Sequence, residues 1–497
     1  MRRRPYRPLA LLTALGLIAA LGSCAQEADG SLATDERASA EPDATGGDTP
    51  DGTDDPGGGQ IAWEDCGSAE CGTLDVPVDY AVPDGDTLTL SISRVPAGTD
   101  DRIGALFVNP GGPGGTAADF AISMAMVLPD EITDRFDIVG VDPRGLGASE
   151  ISCDGDMQGL YGVDYSIDSP EDTTALLDVS QDYVDGCQQN VGDLLSHLGT
   201  EDVARDIDAV RAAMGDDQLN YLGFSYGTAI GQQLAELFPD RVRAMIIDGI
   251  VELGPTGVEA AVGQAAGFEV ALQSFADDCN SDSSCPIAPD AIGAIEELQA
   301  LVEQAPVPAE PRDLGPGELS TGLALPLYSE SRWPDLADAV ADGLAGDGTG
   351  MVELADEYLG VADFDVYFAV NCLDWEWPEV PQELLDAGAA AASGSPHFAE
   401  PIVNDYVRCA MWPVEEAPLP AVTAPEAPPI LVVSTTNDPA TPYEAGVRTA
   451  ERLVSGVLLT NEGDGHTVVG NGVPCVDDIA VAYLVDLEVP EDGTTCS

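Results

Sequence analysis

Two segments early in the chain alternate between apolar and polar positions: Thr73-Leu74-Asp75-Val76-Pro77-Val78-Asp79-Tyr80 and Leu88-Thr89-Leu90-Ser91-Ile92-Ser93. That two-residue period predicts half-buried antiparallel strands. The next two strand-like segments, Gly104–Val108 and Phe136–Val141, are short and mostly apolar. Strands covered on both faces of a parallel sheet have this composition. Helical patterns occupy Ala117–Val127 and Asp202–Met214, followed by a strand at Leu219–Leu222, a helix at Thr228–Leu237 and a strand at Arg243–Ile250. Strands alternating with helices predict a mainly parallel sheet covered on both sides. Residues 255–420 break the rhythm. They are rich in Ala, Asp and Glu, carry five prolines between Pro306 and Pro326, and are expected to form an inserted, mostly helical cap. The core then resumes with a strand at Ile430–Asn437, a helix at Glu444–Leu453, an apolar run at Val454–Thr460 and a last helix at Asp477–Leu487. The expected division is therefore a core in two parts, 61–254 and 421–497, interrupted by the cap. No internal repeat is evident.

The first sixty residues are different. A basic start, Met1 to Arg7, precedes an apolar stretch from Leu9 to Leu21. This stretch falls short of the roughly 20 apolar residues that span a bilayer, and it has the order of a signal peptide, expected over 1–23. It closes Leu21-Gly22-Ser23-Cys24, which resembles a bacterial lipobox, with Cys24 as the lipidated residue; the alternative is an ordinary secretory signal with Cys24 a bystander. Residues 24–60 are acidic and poor in large apolar side chains, the composition of a disordered tether. Any hold on a membrane would come from the lipid alone.

Composition adds three constraints. The 497 residues are 44% hydrophobic, enough for a substantial core. All 18 basic residues are arginines against 89 acids, a net charge of −71, which argues against a nucleic-acid partner. Eleven cysteines are an odd number; setting Cys24 aside leaves ten. Sequence neighbours suggest Cys66 with Cys71, Cys153 with Cys187, Cys279 with Cys285, Cys372 with Cys409 and Cys475 with Cys496. Ten cysteines allow roughly nine hundred pairings, so sequence leaves the connectivity open. Zinc-type spacings of Cys and His do not occur, and neither metal nor cofactor is expected. The oligomeric state is not legible.

The candidate chemistry lies at three strand ends. Ser225 stands in Gly223-Phe224-Ser225-Tyr226-Gly227, after a strand pattern and before a helix pattern. A serine between glycines at such a turn has the form of the nucleophile elbow of an α/β hydrolase. The string alone is weak, but the order of partners strengthens it, since in that fold an acid and then a histidine follow the serine. Of His197, His397 and His466, only His466 follows both Ser225 and the strand-terminal Asp438. Asp464 is the rival acid, although two residues before a histidine it reads as a turn former. A hydroxyl needs an imidazole to take its proton, and the imidazole needs a carboxylate to fix its tautomer. The tetrahedral intermediate needs amide donors. The Tyr226 amide is the first candidate, and the glycine-rich loop 109–115 supplies the second, with Gly112 ahead of Gly111.

Four motifs occur together and in order: Asn109-Pro110-Gly111-Gly112-Pro113-Gly114, Asp142-Pro143-Arg144-Gly145-Leu146-Gly147-Ala148-Ser149, the Ser225 elbow, and Asp438-Pro439-Ala440-Thr441-Pro442. With Gly465-His466 and the late Cys475/Cys496 pair, they resemble the secreted tripeptidyl aminopeptidases of actinobacteria, a branch of the proline-iminopeptidase-like α/β hydrolases. The likeness covers about residues 60–497. It implies a serine exopeptidase releasing short peptides from a free N-terminus, with Ser225, Asp438 and His466 as triad. It also implies acidic cap residues that hold the substrate's α-ammonium; Cys372-Leu373-Asp374 resembles the relevant element, making Asp374 the first candidate and Glu376 the second. Arg144 is expected to brace loops. The chain departs from the family at Asp248-Gly249-Ile250-Val251-Glu252, where an Asp-Pro usually follows the Asp-Gly. An esterase on the same scaffold and a non-catalytic peptide-binding lipoprotein are the alternatives.

Overall fold

The computed structural model describes residues 60–497 apart from Asp156, Asp168 and the side chain of Gln158. The signal peptide, Cys24 and the tether expected at 24–60 therefore lie outside the described residues, except Gln60.

One ten-stranded sheet organises the molecule. Its strands are β1 (Glu64–Asp65), β2 (Glu70–Pro77), β3 (Thr87–Val95), β4 (Gly104–Asn109), β5 (Phe136–Val141), β6 (Leu219–Phe224), β7 (Val242–Asp248), β8 (Ile430–Asn437), β9 (Gly456–Asp464) and β10 (Thr494–Cys496). They lie in the order β1-β2-β3-β5-β4-β6-β7-β8-β9-β10. Pairing is antiparallel from β1 through β3 to β5, and parallel from β5 onward. Alternation explains why the central strands are mostly apolar. Phe107, Tyr221 and Ile247 point into one core with the helices Thr200–Met214 and Gly227–Leu237. Their neighbours Leu106, Leu222 and Ile246 point into another with the helices Ala117–Val127 and Pro474–Asp486. A strand with apolar layers on both sides has no polar face to show.

Between Asp248 and Ile430 the chain adds no strand to the sheet and runs through helices from Gly257 to Met411. The first of these begins with a capping box in which Thr256 and Glu259 bond each other's backbone amides. Part of this insertion has its own apolar centre around Phe268, Phe275, Leu298, Leu319 and Val340. Another part, including Phe368, Cys372, Val407 and Cys409, shares the core on one face of the sheet. Residues 60–497 accordingly belong to one compact unit. The structure also contains a helix that the apolar pattern did not announce, Pro170–Asn190. Its Tyr183 hydroxyl donates to Asp365 of the insertion at 2.8 Å.

Five disulfides join Cys66–Cys71, Cys153–Cys187, Cys279–Cys285, Cys372–Cys409 and Cys475–Cys496. Among the described residues no helix is long and apolar enough to cross a membrane.

Candidate active site

The elbow is built by exclusion. A Cβ at Gly223 would stand 2.4 Å from the carbonyl oxygen of Gly227, and one at Gly227 would stand 2.9 Å from that of Asn109. The turn closes only with glycine at both places. Ser225 between them has φ 53°, in the left-handed region that β-carbon sterics disfavour. Neighbours hold it there: its amide donates to the Asp248 carbonyl at 2.9 Å, and its own carbonyl accepts from the Thr228 amide at 2.8 Å and hydroxyl at 2.6 Å.

His466 and Asp438 meet at the ends of neighbouring strands. Nδ1 of His466 lies 2.9 Å from each carboxylate oxygen of Asp438. Asp438 is buried and accepts from the amides of Ala440 and Thr441 and from the Thr441 hydroxyl, all at 2.9 Å. Those donors fix the orientation of the carboxylate against the ring. On the other side, the His466 amide donates to the carbonyl of Tyr328 at 3.0 Å, and the two rings meet edge to face with centroids 5.3 Å apart. Burial pulls the imidazole pKa down, but the carboxylates of Asp438 and Asp248 outweigh it and hold it above the ordinary histidine value. Asp464 does not compete: it ends β9, pairs with Asn437 across the sheet and accepts from that side-chain amide at 3.0 Å.

Asp248 and Gly249 lie between His466 and Ser225. The Asp248 carbonyl holds Ser225, and a Cβ at Gly249 would stand 2.9 Å from Cε1 of His466. The glycine loop closes the other side of the elbow. A Cβ at Gly111 would come within 2.8 Å of both the Ser225 Cβ and the Tyr226 nitrogen. The Gly111 amide donates to Oδ1 of Asn109 at 2.9 Å, so it is occupied. Those of Gly112 and Tyr226 make no hydrogen bond among the described residues. Two open amides beside a serine hydroxyl are what a developing oxyanion requires.

A cavity of about 640 Å³ opens at Ser225, Tyr226 and Gly112. Its walls include Ile250, Leu253, Val370, Trp375, Trp377, Tyr367 and Tyr406, and Asp374 also lines it. Asp374 is 5% exposed; its Oδ2 accepts from the Thr200 amide at 3.0 Å and hydroxyl at 2.5 Å. The same hydroxyl lies 2.8 Å from the Tyr226 phenol, linking the acid to the residue after Ser225. Both Thr200 bonds go to Oδ2, and no hydrogen bond from the described residues reaches Oδ1. Burial pushes the carboxyl up to about 7, against the two Thr200 bonds. Glu376 is a correction: it is exposed and does not line the cavity. The helix Phe364–Asp374 ends at extended Trp375, so side chains alternate; Trp375 and Trp377 face the cavity and Glu376 faces solvent. Arg144 is fully buried and bonds both oxygens of Asp206 and the carbonyls of Val78 and His197, tying loops together.

Sequence reasoning missed Thr441, Thr200, Tyr328 and the role of Asp248. Only the Asp248 carboxylate, closing the apolar run Ala244–Ile247, left a mark that could have been found.

Residues 395–496 match the model of the TAP-like protein family. The chain is 38% identical over 479 residues to the serine protease Hip1 of Mycobacterium tuberculosis, covering 88% of this chain and 91% of that protein. It is 36% identical over 489 residues to a protein named carboxylesterase B from the same organism, covering 90% and 93%. It is 31% identical over 467 residues to the tripeptidyl aminopeptidase of Streptomyces lividans, covering 88% and 86%.

Proposed function

The chain belongs to the TAP-like family of α/β serine hydrolases that includes the tripeptidyl aminopeptidases, and from that premise we propose that it is an exopeptidase releasing short peptides, tripeptides first among them, from free N-termini. Ser225 attacks the scissile carbonyl while His466 takes its proton. The tetrahedral oxyanion is held by the amides of Tyr226 and Gly112. His466 returns the proton to the leaving amine, the acyl-enzyme forms, and water repeats the sequence. Asp438 keeps Nδ1 protonated and stabilises the imidazolium.

The observation that carries the amine requirement is the buried Asp374, one oxygen satisfied and the other unbonded, lining the cavity that opens at the serine. A carboxylate buried in this way is costly unless a cation meets it. The substrate's α-ammonium is such a cation. The reading of Hip1 and of the tripeptidyl aminopeptidase as relatives supports peptide substrates. Export through a signal over 1–23 with lipid at Cys24 belongs to the same proposal, supported by the five disulfides, which persist in oxidising compartments.

Free-amine tripeptide anilides, free-amine proline anilide, N-blocked anilides and a short-chain nitrophenyl ester separate the readings. Turnover confined to free amines, tripeptides foremost, is expected. The apolar and aromatic cavity walls and the relative named carboxylesterase B favour an esterase as second reading. Ester hydrolysis without anilide cleavage would establish it, and peptide binding without turnover would make the protein a receptor.

A further inference from the structure

We infer that Asp248 is a positioning residue for the catalytic histidine: it ties the His466 loop to the strand that anchors the nucleophile, and its charge biases the imidazole. The inference rests on the hydrolase reading of Ser225 and His466.

Asp248 ends β7 and is fully buried. Its backbone carbonyl accepts from Ser225 at 2.9 Å. Its Oδ2 accepts from the amides of Val468 at 2.7 Å and Val469 at 2.8 Å, just beyond His466. Thus one residue grips both halves of the reacting pair, through two different groups. The loop needs such a grip: Thr467 sits at φ 64°, disfavoured for a β-branched residue, between His466 and those amides. Next along, Gly249 has φ 71° and leaves no room for a side chain against Cε1 of His466 and Cγ2 of Thr467.

The other oxygen of Asp248, Oδ1, is buried without any hydrogen-bond partner. A carboxylate used only as a loop tie would be served as well by a neutral amide, so retention of a charge here needs an electrostatic counterpart. The groups that face His466 are Asp438 and Asp248, with the uncharged Tyr328 ring on the insertion side. Those that face Asp248 are His466, Asp438 and the two amides. Burial pushes the Asp248 carboxyl up to about 6, against the two amide bonds and His466, so it is ionised where hydrolysis needs a neutral imidazole. An anion beside the ring favours the imidazolium that forms during attack.

The test measures how fast a fluorophosphonate probe labels Ser225 between pH 4 and 9, alongside thermal melting and turnover. Labelling needs no knowledge of the natural substrate. Asp248→Asn keeps an acceptor for both amides and removes the charge. It is expected to keep the high-pH plateau within a few-fold while the acid limb moves down by about half a pH unit or more. Asp248→Ala, which releases the loop, is expected to lower the plateau by about 10- to 100-fold with KM little changed. An unmoved limb in D248N, or an intact plateau in D248A, overturns the inference. Should D248N not fold, the Cε1–H titration of His466, assigned against His466→Gln, is compared between the unmodified protein and D248A: a lower midpoint in D248A supports the inference, and an unmoved one overturns it. Absence of labelling in the unmodified protein would instead overturn the hydrolase reading, and this inference with it.

Discussion

Asp374 carries opposed consequences for stability and for binding. Its carboxyl is pushed up to about 7 in the folded chain, from an ordinary value near 3.8. Between those limits the native state binds more protons than the unfolded one, so this group makes stability fall as pH rises through the window. Asp374→Asn is therefore expected to melt higher than the unmodified protein above pH 7, and to match it below about pH 4. The same substitution removes the proposed ammonium partner. It should raise KM for free-amine anilides about tenfold or more while leaving N-blocked substrates and esters within a factor of two. A uniform loss across all substrates would remove Asp374 from amine recognition. The second titration belongs to His466. Its raised pKa means that neutral imidazole, and with it kcat/KM, is lost as pH falls through a value above the ordinary histidine one. A bell whose acid limb lies below pH 6 would contradict that environment.

At the scale of elements, the site is a set of strand ends held by what cannot fit between them. This explains what was legible. The mostly apolar strands and their glycine-bounded ends stood out, and β5 and the helix Ala117–Val127 start and stop where the pattern placed them. Ser225, Asp438 and His466 were legible as candidates because the order of strand, turn and helix constrains which positions can meet. Thr200 and Thr441 were not, because a hydroxyl that orients a carboxylate carries no local pattern. The helix Pro170–Asn190 was missed because it is rich in Asp, Gln and Thr and turns only a few apolar residues, Leu176 and Val184 among them, inward. Glu376 misled because a helix end converts neighbours in sequence into opposite faces. The helix bearing Asp374 is itself tied down by Cys372–Cys409, whose partner lies in the short helix Tyr406–Met411. Replacing both cysteines with alanine should cost about 2–4 kcal/mol of stability. Because the tie sits two residues from Asp374, it should also raise KM for free amines more than for esters. Chemical denaturation and the two substrate classes measure the two effects separately.

For the whole molecule, the governing quantity is the net charge of −71, with no lysine to offset it. Like charges at this density repel one another and weaken the compact state, and salt screens that repulsion. Screening acts over a Debye length of about 10 Å at 0.1 M, so the melting temperature should rise steeply between low salt and a few tenths molar. The same field attracts cations. A peptide with a free α-ammonium and no carboxylate is drawn toward the surface, whereas a neutral ester is not. Its kcat/KM should therefore fall over the same salt range in which the protein becomes more stable, while kcat and ester hydrolysis stay nearly level. The two responses have opposite signs but one cause, which makes the pair diagnostic. If added salt destabilised the chain, or if amine and ester substrates lost efficiency in parallel, the long-range field would not be the agent. Recognition of the amine would then fall entirely to the buried carboxylate at the end of the helix Phe364–Asp374, too dry for bulk salt to screen.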